Sequence, residues 1–328
     1  MVNQKKLLIF NSKIFYFFIL TFFLVILYFN FLYDFKREYI SKAYITNQGD
    51  NTVSIIDLTT LKKVKTLKVG VAPLGITILQ NKKLVFVGNV GTDDISVIDA
   101  VDDVLIKTIK LNTAPLSLAS NPEETEVYIT DWFKNNVITI SVEEMKVTRS
   151  SKVGKTPSGI TFNKKHQYKI ITNRDENTIE IYDKNYNLVR KVNTGKHPFG
   201  VFSEGDFAYA ANVYDDSVSV ISLIDWSMYE FLVGAHPYNV RVHDKLAYIT
   251  NTIDDTLTIY DLDSKKTIKT LDTGETPENL DLNIKLNLLV ITNWGDDSIS
   301  IFDTQNFKFI KEIKTGAQSR SFGDFILQ

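Results

Sequence analysis

One pattern recurs seven times along this chain, and that periodicity limits the possible folds more than any single motif does. A short β-rich run ends in Asn at AYITN (43–47), VFVGN (85–89), KIITN (169–173), AYAAN (208–212), AYITN (247–251) and LVITN (289–293), and in Asp at VYITD (127–131). The closing residues Asn47, Asn89, Asp131, Asn173, Asn212, Asn251 and Asn293 stand 42 or 39 residues apart. A polar turn comes after each, then an alternating strand such as TVSIID (52–57) or SISIFD (298–303), then a Lys-rich strand such as KKVKTLKV (62–69). A Gly-x-x-Pro loop comes next: Gly70 with Pro73, Gly154 with Pro157, Gly195 with Pro198, Gly234 with Pro237, and Gly274 with Pro277. Asn112 replaces the Gly before Pro115, and Ser319 replaces the Pro after Gly316.

Each repeat therefore holds four short strands of period two. One such sheet leaves both faces wet; stacked radially, every face is covered by the next sheet. The fold class predicted is all-β, a seven-bladed β-propeller of four-stranded antiparallel blades over residues 42–328. The first copy begins at its Asn-ending strand and lacks the strand that elsewhere succeeds the Pro loop, while Ser321 to Gln328 is left over at the end. The segment 321–328 is expected to supply the innermost strand of the first blade, latching the two chain ends and removing an open edge.

Ahead of the repeats, a short tail (1–13) precedes IFYFFILTFFLVILYFNFLY at 14–33, an uncharged apolar stretch. Twenty helical residues reach about 30 Å, the depth of a bilayer's hydrocarbon core. Large residues come directly after it, against the small ones of a signal-peptide cleavage site. The reading is a retained N-terminal transmembrane helix, a signal anchor, joined to the propeller by a linker at 34–41. Lys5, Lys6 and Lys13 precede the stretch and Lys36, Arg37 and Lys42 lie beyond it, so the positive-inside comparison is nearly even. A first apolar segment usually exports the chain on its C-terminal side, which places the propeller outside the cytoplasm, in the periplasm or at the cell surface; an inverted anchor is the alternative. The net charge of −2 gives no basic excess for nucleic acid. The absence of Cys excludes disulfides, thiolate metal sites, covalent haem attachment and cysteine nucleophiles.

The AYITN, IITN and LVITN strings, the VSIID and SISIFD strands after them and the Gly-x-x-Pro loop resemble the YVTN β-propeller repeat family over nearly all of 42–328. Relatives of that kind include surface-layer and exported propellers. A more distant likeness is to the haem d propeller domain of cytochrome cd nitrite reductase. The resemblance implies an extracytoplasmic propeller and carries no catalytic residues onto this chain.

In the expected geometry the Pro loops and the turns after each Asn share one face of the disc, where a ligand is expected. Residues repeated in every blade serve structure, since one site needs only one copy. The Asn/Asp strand ends read as turn formers that bond nearby backbone. So do the acids after them, Asp50, Asp93, Asp94, Asp175, Glu176, Asp215, Asp216, Asp254, Asp255, Asp296 and Asp297, although their sum makes the face acidic. Departures from the repeat are better candidates for binding: Trp132, Arg174 and Trp294 after the strand ends, and His197, Phe199, His236, Tyr238 and Arg320 beside the loop prolines. They suit a flat or anionic ligand, or a partner with aromatic anchors. Arg241 and Asp281 occupy equal positions on neighbouring inner strands and are channel candidates, expected to form an inter-blade ion pair. No Ser-His-Asp spacing, phosphate loop or carboxylate pair stands out, so neither catalytic nor metal residues are assigned.

The leading reading is a membrane-anchored binding or scaffold module without catalysis, meeting a protein, glycan or small molecule on its loop face and no nucleic acid. No cofactor is predicted. One rival is a haem- or tetrapyrrole-handling or electron-transfer propeller, with His197 and His236 as a ligand pair; another is a propeller hydrolase or lyase.

Overall fold

The computed structural model describes residues 19–28 and 41–328. The chain divides into two compact units, Met1–Ile40 and Ser41–Gln328. In the first, residues 19–28 are helical, a length of about 15 Å at the usual rise. Leu20, Phe22, Phe23, Leu24, Leu27 and Tyr28 of that helix are exposed. Of the span expected at 14–33, the described helix covers these ten residues, too few to cross a bilayer, and the others of that stretch lie outside the described residues. Among the described residues no helix is long and apolar enough to cross a membrane.

The second unit is a seven-bladed β-propeller of four-stranded antiparallel blades, with the strands of blades 2 to 7 in chain order and the inner strand of blade 1 supplied by the C-terminus. The inner strands of blades 2 to 7 are Pro73–Leu79, Pro115–Ser120, Pro157–Asn163, Pro198–Glu204, Pro237–His243 and Pro277–Asn283. In each of these blades the Asn- or Asp-ending strand comes second, and in all of them but blade 5 the rim strand carries at least two Lys or Arg. Period-two alternation sends Val, Ile, Leu and Tyr to both faces of the middle strands, where neighbouring blades cover them. The rim strand of blade 1, Lys62–Lys68, is exposed on nearly every residue, because nothing packs outside it.

Two side chains of the repeated Thr-Asn pair explain its recurrence. The Thr hydroxyl donates across the blade boundary to the carbonyl one residue past the next loop's Pro position. Thr46 reaches Leu74 (3.1 Å), Thr130 Ser158 (2.9 Å), Thr172 Phe199 (2.7 Å), Thr250 Glu278 (3.1 Å) and Thr292 Arg320 (2.7 Å). The Asn amide nitrogen donates to residues five and seven positions on, as from Asn47 to Thr52 and Ser54. Each such bond contributes roughly 0.5–1.5 kcal/mol net; the Thr bonds tie blade to blade and the Asn bonds hold the turn within a blade.

The loop glycines serve close approach, since none of them has a positive φ. A Cβ on Gly154 would collide with Asn173 Cγ, and one on Gly316 would stand 2.7 Å from Asn47 Cγ. The left-handed residue is instead the one before the Pro position, as at Ala72, Thr156, His197, His236 and Thr276. In blade 3, where Asp131 replaces Asn, the left-handed residue is Asn112 (φ 59) and the loop takes another course.

The chain ends meet in blade 1, but with a detour. Ile326–Leu327 pairs antiparallel with Lys42 and Ala43, and Tyr44 N–H donates to Phe325 O. Nearer the loops, Ser319 bridges to Asn47 and Arg320 N–H donates to Thr46 O. Between these contacts Phe322–Gly323 leaves blade 1 and pairs parallel with Gly75 and Ile76 of blade 2. Gly323 permits this at φ 141, where a Cβ would collide with Ile76 O. The expected continuous inner strand over 321–328 is therefore two short contacts separated by a bulge into the channel.

Candidate functional site

On the loop face, several of the sequence candidates meet at the axis, where they pack on one another. Phe322, delivered by the bulge, lies buried with Leu74, Leu116 and Phe199, with Trp132 and Tyr238 against them. Phe199 is 4.2 Å from Tyr238 and 5.0 Å from Phe322 between ring centroids, and edge-on to Trp132 at 6.0 Å. The Arg174 guanidinium covers Trp132 at 4.5 Å. Arg320 grips Glu278 with two nitrogens and also donates to Tyr238 Oη and Gln48 Oε1, both at 3.1 Å. Burial lifts the Glu278 carboxyl above its ordinary range, and the Arg320 charge opposes this. Trp132, Arg174, Phe199, Tyr238 and Arg320 thus form, with Phe322 and Glu278, an apolar plug and its polar collar.

Three candidates stand elsewhere. Tyr214, more than half exposed, lies between His197 (4.0 Å) and His236 (5.5 Å), so the two imidazoles flank a ring instead of converging on one point. Partial burial, followed by the Arg174 charge, lowers the His197 pKa, while Asp175 opposes them. Trp294 is half-buried, and its Nε1 is buried without a hydrogen-bond partner. Among the described residues no three His, Cys, Asp or Glu side chains form a group able to hold a metal.

The acids of this face are engaged in building it. The left-handed residue before the Pro position donates its N–H to an Asn or Asp of the preceding blade, as from Ala72 to Asn51 (2.9 Å), His197 to Asn177 (2.9 Å), His236 to Asp216 (2.9 Å) and Thr276 to Asp255 (2.7 Å). Asp50, Asp215, Asp254 and Asp296 likewise accept loop N–H groups. Such bonds favour the ionised carboxylate; they hold Asp215 below the usual range. The negative charge is thereby spread into backbone dipoles.

The open space lies at the other end of the axis. A cavity of about 550 Å³ is lined by the far ends of the inner strands of blades 2 to 7, by the hairpins after them and by the C-terminal segment. Both channel candidates line it, and they do not pair with each other. Arg241 Nη2 donates to Gly323 O and Asp324 Oδ1, each at 3.0 Å. Asp281 Oδ2 accepts the N–H groups of Phe325 (2.8 Å) and Ile326 (2.9 Å). Burial, reinforced by the Asp324 carboxylate, pushes Asp281 up to about 6 against the pull of Arg241. The expected ion pair is replaced by two side chains that clasp the incoming chain end from neighbouring blades.

Sequence reasoning passed over Ser203, Glu204 and His243, which also line the cavity. Arg241 Nε and Ser203 Oγ are buried without a hydrogen-bond partner. Burial raises the Glu204 carboxyl above its ordinary range, with His243 opposing and Asp244 adding to the shift. A signal for these positions was present in the repeat spacing. The two 39-residue repeats are blades 5 and 6, whose inner hairpins are cut to Gly205–Asp206 and Asp244–Lys245, where the other blades use four or five residues.

Solved structures with this fold include a functionally unknown protein from Desulfotomaculum acetoxidans DSM 771, 13% identical with TM-score 0.74, matched over 85% of this chain and 99% of that one. Kuenenia stuttgartiensis hydrazine synthase is 15% identical with TM-score 0.74, over 81% and 92% of the two chains. The dihydro-heme d1 dehydrogenase NirN, solved in complex with DHE, is 11% identical with TM-score 0.67, over 85% and 74%. At these identities the likeness is one of fold. No curated protein matches the sequence. The YNCE-like β-propeller model matches residues 40–208, more than half of the chain, and the protein belongs to that family.

Proposed function

We propose that the protein is a membrane-tethered, extracytoplasmic binding module without catalysis, and that it takes a small polar ligand in the axial cavity. The observation that carries this reading is a cavity of about 550 Å³ at one end of the axis, lined by Ser203, Glu204, Arg241 and His243 among others. The size lies within the range of small-molecule pockets. Glu204 and His243 add polar side chains to the cavity lining. The charges of Arg241 and Asp281 are engaged by the chain end, which supports binding over acid–base chemistry.

The tether is the apolar stretch at 14–33. Its support is the helix at 19–28, whose side chains are exposed around nearly its whole circumference and call for a lipid surround.

Native mass spectrometry of the detergent-solubilised full-length protein tests the binding reading. A bound small molecule is expected, lost from Ser203→Ala and Glu204→Gln and kept by Trp132→Ala. A ligand lost with Trp132→Ala and kept by the two cavity variants would move the site to the loop face. A Soret band abolished by His197→Ala or His236→Ala would establish the tetrapyrrole alternative instead.

A further inference from the structure

A β-propeller exposes seven rim strands, each with alternate backbone N–H and C=O groups free to pair with another chain. Six of the seven carry two defences. Their sequences KKVKTLK, VLIKTIK, KVTRSSK, LVRKVN, KTIKTLD and FIKEIK each hold at least two Lys or Arg. All six also break register with the strand inside them, a bulge that twists the edge away from flat pairing.

The rim strand of blade 5, Met228–Leu232, has neither defence. Its sequence is MYEFL, with no basic residue. Its ladder runs unbroken from Ser217↔Leu232 to Ile221↔Met228. Leu232 is 76% exposed and Met228 41% exposed, with Ile224 at 67% nearby. Tyr229 and Phe231 pack towards blade 6, where Phe231 stacks on Tyr260 at 3.7 Å. Met228, Glu230 and Leu232 are thus left as the alternate residues of the accessible face. The loss of both protections from one blade marks an edge kept available for pairing.

We propose that this edge accepts an added strand from a partner polypeptide whose extended segment carries a basic residue between two apolar ones at alternate positions. The basic residue would face Glu230, the strand's only charge, and the apolar ones Met228 and Leu232. Directly opposed side chains of opposite charge favour an antiparallel pair, and like charges oppose it. That rule also decides against a second copy of this chain. The two-fold register that pairs all five residues sets Glu230 opposite Glu230, and the registers shifted to avoid this keep three paired residues. The edge lies at the rim, apart from the axial cavity, so the inference stands independently of ligand binding there.

The test uses full-length protein in detergent micelles and a fluorescein-labelled peptide of sequence VLIKTIK, which has the Leu-x-Lys-x-Ile pattern. Saturable binding in the micromolar range is expected by fluorescence anisotropy, with slowed hydrogen exchange at residues 228–232. Leu232→Lys restores the missing rim charge at a largely exposed position, and it should weaken binding at least tenfold with an unchanged circular dichroism spectrum. Exchanging the first peptide Lys for Glu should do the same. Absence of saturable binding, or equal binding by the Leu232→Lys variant, would overturn the proposal. So would a concentration-dependent dimer abolished by Leu232→Lys in a protein that ignores the peptide, which would assign the edge to a second copy.

Discussion

Replacing Phe325 by Ala should loosen the ring at one place. The seam where the chain ends meet has two ladder pairs, Lys42↔Leu327 and Ala43↔Ile326, against six between, for example, the second and third strands of blade 6. With so few backbone bonds, closure depends on buried side chains, and Phe325 is fully buried within the core around blade 1. Truncating a buried Phe costs about 3–5 kcal/mol, because a cavity remains where the ring was. At about 2 °C per kcal/mol for a domain of this size, the melting temperature should fall by about 6–10 °C. Phe86→Ala is the control, since Phe86 is equally buried but packs among blades 2 and 3. Both variants should lose comparable stability by differential scanning calorimetry. Only the Phe325 variant should show faster amide exchange at residues 42–47, because Tyr44 N–H is held by Phe325 O. A fall of less than about 2 °C, or equal exchange loss at 42–47 in the control, would refute a side-chain-held seam.

Two further outcomes rest on the same geometry. Gly154→Ala should cost about 1–3 kcal/mol by overpacking against Asn173, and the loss should be smaller when Asn173→Ser is already present; additive urea midpoints would contradict the steric account. Asp281 holds its proton more tightly folded than unfolded, since burial raises its pKa from 3.8 to about 6. Its contribution to stability is therefore greatest at low pH, declines as pH rises from about 4 to about 6, and is constant above. Asp281→Asn should flatten the stability profile in that window, and a thermal profile from pH 4 to 7.5 that is unchanged by the substitution would reject the assignment.

Much of the fold was legible because it is repetitive. The Thr-Asn pair, the loop Gly and the turn acids recur since every blade boundary must be tied in the same way, and a sequence with seven copies displays those requirements seven times. The candidate site was harder to read because it breaks the repeat. Trp132, Phe199, Tyr238 and Arg320 stand out as departures from the repeat, yet a departure in sequence does not say whether the side chain faces solvent or a neighbour. Their destination depended on Phe322, which arrives from the far end of the chain and gathers the rings into a plug. Ser203 and Glu204 give no signal of their own because serine and glutamate are ordinary at strand ends, and His243 stands apart from the loop-proline positions; only the shortened hairpins beside them gave a hint.

The sequence alone determined the number of blades, the strands in each and the face shared by the Pro loops and Asn turns, since local alternation and a fixed repeat length dictate all three. The tertiary structure decided which end of the axis is open and what Arg241 and Asp281 hold. Both depend on a bulge at Gly323 that brings the C-terminus into the channel. That contact joins residues hundreds of positions apart, and no local pattern encodes it.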